Sequence, residues 1–243
     1  MKRLIAGSVC VLWLLHTACA AAADSPPLLK KSDPPIAIPW DDLNEHAATL
    51  AKLLLEKPTV VARGPSETFA CVPEQYYWLL DNPERAVTAW RRLGAKCVSI
   101  NRRGPNKFAY TDDTGTDIAW EVIHQSPSVR IWYAEGKVKP SAVLPLVPVK
   151  ALIVLHHTNG KSPDGVVVVS HQAEVVIHTD SKAASAVTRM MGQSAPKLAE
   201  HGLAQLELFY SALSRFIDLH PERVELLFRP EGAAAPAKKK AGD

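Results

Sequence analysis

The sequence predicts an α+β fold: one strand, two short helices, an antiparallel sheet that brings the total to six or seven strands, and a long C-terminal helix. Three observations carry this reading. Between Cys97 and Thr179, apolar and polar residues alternate over short runs separated by turn residues, which is the period of half-buried strands. From Ala184 to Phe216 the apolar or small residues step instead by three and four, through Val187, Met191, Ala195, Leu198, Gly202, Leu206, Phe209 and Leu213. That spacing traces one face of a helix. Finally, Pro73 opens a short helical segment, a position where proline costs no hydrogen bond, and Asp81-Asn82-Pro83 is a turn and cap before a second.

The chain opens with Lys2 and Arg3, an apolar run from Leu4 to Leu15, and small residues through Ala23. That is the pattern of a secretory signal peptide over residues 1–23, too short to span a bilayer comfortably. Cys19 offers a lipoprotein alternative, which His16, three residues before it where an apolar residue is wanted, disfavours. Removal of the signal leaves about 220 residues, the size of one domain. Residues 24–40 hold five prolines among polar residues and read as a linker. Asp41 and Asp42 open a helix over 41–57, with Leu43, Ala47, Leu50 and Leu54 on one side, expected on the outside of a domain spanning 58–229. Residues 230–243, dominated by Ala, Pro and Lys, have no apolar face and are expected to be disordered.

Within the domain, Ser66–Val72 reads as a first strand, followed by helices at Pro73–Leu80 and Glu84–Leu93 with Gly94 as the stop. Strands follow at Cys97–Arg102, Lys107–Thr111 and Thr116–His124, the last with Ile118, Trp120, Val122 and His124 on one face. Val129, Ile131 and Tyr133 alternate in the next, and Ala151–Thr158 is an apolar run. Val166–Thr179 turns Val167, Val169, His171, Ala173, Val175 and Ile177 one way. The long helix spans Asp180–His220, small and soft in its first half and bulky in its second. Pro196 inside it predicts a bend or break near Ser194–Pro196. Pro140, Pro145 and Pro148 resist central strand pairing, so the apolar residues of Val138–Val149 are expected on a loop or edge. There they either tuck onto the core or cover a sheet edge, or else form a gate over a cavity mouth or a patch that makes transient contact with membrane or a partner.

Composition excludes several classes. The net charge of +3 owes much to Lys2, Arg3 and Lys238–Lys240, so the folded part is near neutral and argues against nucleic acid. No metal-ligand spacing, nucleophile elbow or glycine-rich nucleotide loop occurs; His156 and His157 are adjacent and point to opposite faces of a strand. No metal or cofactor is expected. Cys71 and Cys97 are an even pair in an exported chain, which allows one disulfide; the alternative is two small buried hydrophobes.

The element order, with Val72-Pro73-Glu74-Gln75-Tyr76-Tyr77-Trp78-Leu79-Leu80-Asp81 leading into the first helix and Trp90 in the second, resembles the helix-grip fold of the START-like (SRPBCC, polyketide cyclase-type) superfamily. The resemblance covers Ser66–Leu219. It implies a long helix lying across a curved sheet with an apolar cavity between them. On that reading Trp120, His124, Tyr133, His171, Val187, Met191, Ala195 and Leu198 would line the cavity. The implied function is an exported, monomeric, non-enzymatic carrier or sensor of a lipid or other hydrophobic small molecule. Two alternatives accompany it: a cyclase or hydrolase using His124 or His171 as acid or base, and a cell-envelope scaffold whose cavity is filled.

Overall fold

Alternating apolar residues here build one antiparallel sheet, and the two helical patterns cover its two faces. The computed structural model describes residues 36–139, 145–179 and 194–229. Among these, eight strands pair in the order β1-β8-β7-β6-β5-β4-β3, with β2 also on β8. They are β1 (Val60–Arg63), β2 (Glu67–Ala70), β3 (Asn101–Gly104), β4 (Lys107–Thr111), β5 (Asp117–Gln125), β6 (Val129–Val138), β7 (Val147–Lys161) and β8 (Val167–His178). The helices are α1 (Glu45–Glu56), α2 (Pro73–Asp81), α3 (Pro83–Arg92), α4 (Ser194–Leu219) and α5 (Val224–Phe228). A long C-terminal helix packed on an antiparallel sheet is the α+β, helix-grip arrangement that the sequence predicts.

Two strands depart from expectation. The first strand begins earlier than the alternation suggests, because Val60–Arg63 also pairs with β8. β1 and β2 are two arms of one edge, interrupted at residues 64–66, where three residues span the two that separate Glu174 from His171. Gly64 still donates its N–H to the Ala173 carbonyl at 2.8 Å, and Pro65 has none to donate. The third strand starts at Asn101 rather than Cys97, leaving residues 95–100 outside the sheet.

Part of the proline-rich stretch lies on an edge, as its prolines lead one to expect. Val147–Val149 belongs to β7, with Pro148 opposite Lys137 of β6. Proline is accepted there because β7 pairs with β8 only from Lys150 onward, so Pro148 has strand neighbours on one side alone. Its carbonyl accepts from the Thr179 hydroxyl at 2.8 Å. Residues 140–144 lie outside the described set.

α1 covers the sheet face opposite α4, with Ala47 buried and Ala51 and Leu54 packed against Ile131, Leu152, Val154 and Val176. Its cap is Asn44, whose side chain accepts from the Ala47 N–H at 2.8 Å; Asp41 and Asp42 fall in a preceding 3-10 turn. Asn44→Ala is expected to cost about 1 kcal/mol by urea denaturation. A change within error would show that packing alone holds the helix start.

On the other face, α4 lies over β1, β2 and β8, with α2 and α3 beside it. Trp90 of α3 donates its indole N–H to the Phe209 carbonyl at 3.1 Å, pinning α3 to the middle of α4. Described residues of the long helix begin at Ser194. Pro196 therefore sits in the first described turn, and the predicted first half of the helix, residues 180–193, lies outside the described set together with Val187 and Met191.

Candidate functional site

Small residues on one stretch of α4 and residues of six strands, β1 and β4 to β8, leave space between helix and sheet. The cavity has a volume of about 260 Å³. Its roof is Ala195, Leu198, Ala199, Gly202, Leu203 and Leu206, where short side chains keep the helix backbone from filling the volume beneath. The floor comes from Trp120 of β5, Trp132 and Ala134 of β6, Ala151 and Ile153 of β7, and Val175 and Ile177 of β8. Further along α4, Leu213 and Ile217 are buried in solid core, so the bulky half of the helix seals what the small half leaves open.

One margin of the cavity is polar: Thr59, Asp112, Thr116, Lys139 and Thr179. Much of this margin is already internally bonded. Asp112 Oδ1 accepts from the Thr114 hydroxyl at 2.7 Å and the Thr116 N–H at 3.0 Å. Thr59 Oγ1 accepts from the Thr179 N–H at 3.1 Å.

Trp120, Ala195 and Leu198 line the cavity. Tyr133 does not. Its strand is read in the right place but with the faces exchanged: Trp132 and Ala134 look into the cavity, while Tyr133 packs in the α1-side core and donates its hydroxyl to Glu135 at 2.8 Å. Burial and that carboxylate both push the phenol pKa up.

His124 is also displaced. A bulge between Val122 and His124 puts one extra residue in β5, so Val122 pairs with Trp132 but His124 pairs with Ile131 of the α1-side core. The alternation that put His124 with Trp120 is broken there. His124 Nε2 is buried with no hydrogen-bond partner among the described residues.

His171 is on the expected face but beyond the cavity, in a buried polar belt. Its Nδ1 is 2.9 Å from the Tyr76 hydroxyl, and its Nε2 faces the Glu67 carboxylate at 3.7 Å. The carboxylate favours the Nε2–H tautomer, which makes Tyr76 the donor. The ring also meets Phe69 edge-on at 5.0 Å. Next to it on β7 is His157, edge-on to Tyr76. Burial holds both imidazoles down to about 4, so they are neutral at physiological pH. His124 and His171 thus lie on opposite faces of the sheet, and no acid–base pair forms between them.

Two members of the belt gave no periodic signal. Arg130 is 1% exposed; its Nη2 lies 2.5 Å from Asp81 at the end of α2, and its Nε and Nη1 have no partner among the described residues. Glu207, also 1% exposed, points from α4 into the break between β1 and β2. There its Oε1 accepts the Ala173 N–H at 2.6 Å. A Cβ on Gly64 would lie 2.6 Å from Glu207 Oε2, so glycine is what lets the carboxyl enter. Burial pushes this carboxyl up to about 8. A charged residue at a helical position that should face the core is a sequence cue for Glu207; Arg130, on β6, offers no such cue.

Cys71 and Cys97 are thiols with no disulfide between them. The even count does not bring two side chains to bridging distance. Cys71 is buried, donates to the Val72 carbonyl at 3.2 Å, and has its pKa pushed up to about 11, which makes it a poor nucleophile. Among the described residues no three His, Cys, Asp or Glu side chains gather as metal ligands, and no helix is long and apolar enough to cross a membrane.

Comparison by sequence finds no matching protein family and no matching curated protein. Solved structures do align. A conserved protein from Geobacillus kaustophilus matches with 17% identity and a TM-score of 0.43, over 66% of this chain and 96% of its own. The di-domain ARO/CYC BexL of the BE-7585A biosynthetic pathway matches with 12% identity and a TM-score of 0.39, over 70% of this chain and 55% of its own. A hypothetical protein from Helicobacter pylori matches with 11% identity and a TM-score of 0.38, over 64% of this chain and 87% of its own. At these values the likenesses add nothing to the assignment of function.

Proposed function

We propose that this chain is an exported, START-like helix-grip protein that holds a hydrophobic small molecule under α4 as a carrier or sensor, without catalysis. The observation that carries this reading is the apolar cavity roofed by Ala199 and Gly202 and floored by Trp120 and Trp132. Binding sites for small molecules are concave and mostly apolar with a few polar groups, and the threonine-rich margin supplies those groups. A volume of about 260 Å³ lies just under the ~300–1,000 Å³ of typical ligand pockets. It suits one small ring system or a short chain rather than a whole phospholipid. The enzymatic alternative loses support, because neither histidine proposed for it lines the cavity. Export rests on residues 1–23, and Leu146, exposed beside the cavity-lining Val147, keeps a transient membrane contact in the proposal.

The test is displacement of the neutral fluorescent probe N-phenyl-1-naphthylamine. Wild type is expected to bind it, and Gly202→Leu to lose binding at least tenfold. Leucine fills the cavity and is also a better helix former than glycine by up to about 1 kcal/mol, so the variant should melt no lower than wild type. Failure of wild type to bind any apolar probe would sink the reading. So would a Gly202→Leu protein that binds unchanged.

A further inference from the structure

Ile100 lines the apolar cavity, and it also lines a second hollow on its far side. This second hollow, about 360 Å³, runs between α3 and α5 and is of opposite character. Four guanidinium groups border it: Arg85, Arg91, Arg92 and Arg229. Its one acidic side chain is Glu84, whose Oε1 is held by Arg102 at 2.9 Å, so that charge is already balanced from outside the hollow. Ser99 and Asn101 add neutral polar groups.

The four arginines are not equivalent. Arg92 is structural: its Nη1 donates to the Leu226 and Leu227 carbonyls, at 3.2 and 2.6 Å, near the end of α5. Arg229 lies 3.7 Å from the exposed Glu225. Arg85 stacks over Trp78 at 5.8 Å, and Arg91 donates to the Ser99 hydroxyl at 2.6 Å. Neither contact neutralises a charge. With Glu84 engaged by Arg102 and Arg229 beside Glu225, Arg85, Arg91 and Arg92 keep the hollow positive, and a planar guanidinium suits carboxylate or phosphate oxygens.

An apolar cavity and a cationic hollow that share the wall residue Ile100 match the two ends of one amphiphile. We propose that the ligand is an anionic amphiphile: its chain or ring occupies the cavity under α4, and its acid group passes Ile100 to lie against Arg85 and Arg91. This rests on the binding function proposed above and adds the ligand's chemical class. The acid is a carboxylate or a phosphate monoester, since both offer the oxygens a guanidinium takes. The partly buried cavity polar margin with Lys139 is the competing place for the head.

The experiment compares decanoate, decyl phosphate and decanol, each titrated against the full chain by displacement of N-phenyl-1-naphthylamine. The wild-type protein is expected to bind at least one of the two acids about tenfold more tightly than decanol, and the stronger acid identifies the head. In Arg85→Gln/Arg91→Gln that preference should fall by about tenfold or more, the scale of a lost charged hydrogen bond, with decanol unchanged. Both positions are exposed, so the fold should survive, as decanol binding will report. Raising ionic strength from about 0.05 to about 0.5 M should weaken the acids alone. Acids that bind no better than decanol, or a preference intact in the double variant, would overturn the inference and leave the hydrophobic-ligand function standing. If none of the three displaces the probe from wild type, both fall. A preference lost in Lys139→Gln instead would move the head to the opposite margin and equally overturn it.

Discussion

Asp81→Ala is expected to destabilise the protein by about 3 kcal/mol, read as a lower midpoint in urea at unchanged slope. Arg130 lies inside the domain with a single carboxylate partner, and its remaining nitrogens have none among the described residues. Removing one member of a buried pair typically costs about 3–5 kcal/mol, because the other charge stays desolvated. The lower end applies here because the Asp81 side chain is 45% exposed and water takes over part of its role. The companion variant separates charge from packing. Asp81→Ala/Arg130→Met removes both charges and keeps the length of the side chain, so it should recover most of the loss. A double variant as unstable as the single one would show that Arg130 acts through its packing on Trp132, whose ring is 6.0 Å from the guanidinium.

Gly64→Ala is expected to cost about 2 kcal/mol, in the usual range for forcing an extra methyl into a filled site. The methyl would meet Glu207 Oε2 at 2.6 Å, and the carboxyl can yield only by giving up the Ala173 N–H. In a Glu207→Ala background that conflict is gone and the Gly64→Ala cost should nearly vanish, a coupling that a double-mutant cycle measures. Additive effects would place the strain in the backbone instead.

The same carboxyl shapes the pH dependence of stability. Folded Glu207 keeps its proton up to about pH 8, against an ordinary value of 4.5. Over that interval the folded state holds a proton that the unfolded chain has lost, so this group's contribution is greatest at low pH and declines as pH rises. His157 and His171 act in the opposite sense. They titrate at about 4 when folded rather than 6.5, so between those values the unfolded chain takes up two protons that the folded one refuses. Their effect makes stability rise with pH up to 6.5. Two histidines outweigh one carboxyl below that point, and above it only Glu207 changes. Stability should therefore peak near pH 6.5 and fall toward pH 8. Glu207→Gln keeps an acceptor for Ala173 and should flatten the descending limb. A descent that persists in this variant would assign it to another group.

Most of the element order was legible because it is written in local periods. Lys107–Thr111, the Asp112–Gly115 turn, and the shared face of Val169, Ala173, Val175 and Ile177 follow from alternation and turn residues alone. The cavity roof was legible too, since Ala195, Leu198, Gly202 and Leu206 sit one helical turn apart and are small at its start. Strand faces failed where an extra residue intervened. One bulge after Val122 sent His124 toward Ile131, and nothing in that stretch marks a bulge. In β6, apolar residues at 131 through 134 fit either face, and only the two covering helices decide between Tyr133 and Trp132.

The sequence by itself determined most of the strands and helices, though not β1 or α5, and which part of the long helix has side chains too small to fill the space below. Both follow from properties of single residues and their near neighbours in the chain. The tertiary structure alone decided that Glu207 enters the gap beside Gly64, that Arg130 is buried against Asp81, that Cys71 and Cys97 remain apart, and that Ile100 divides an apolar cavity from an arginine-lined hollow. Those outcomes depend on pairings between residues far apart in the chain, 34 between Ala173 and Glu207 and 49 between Asp81 and Arg130, and no local period encodes them.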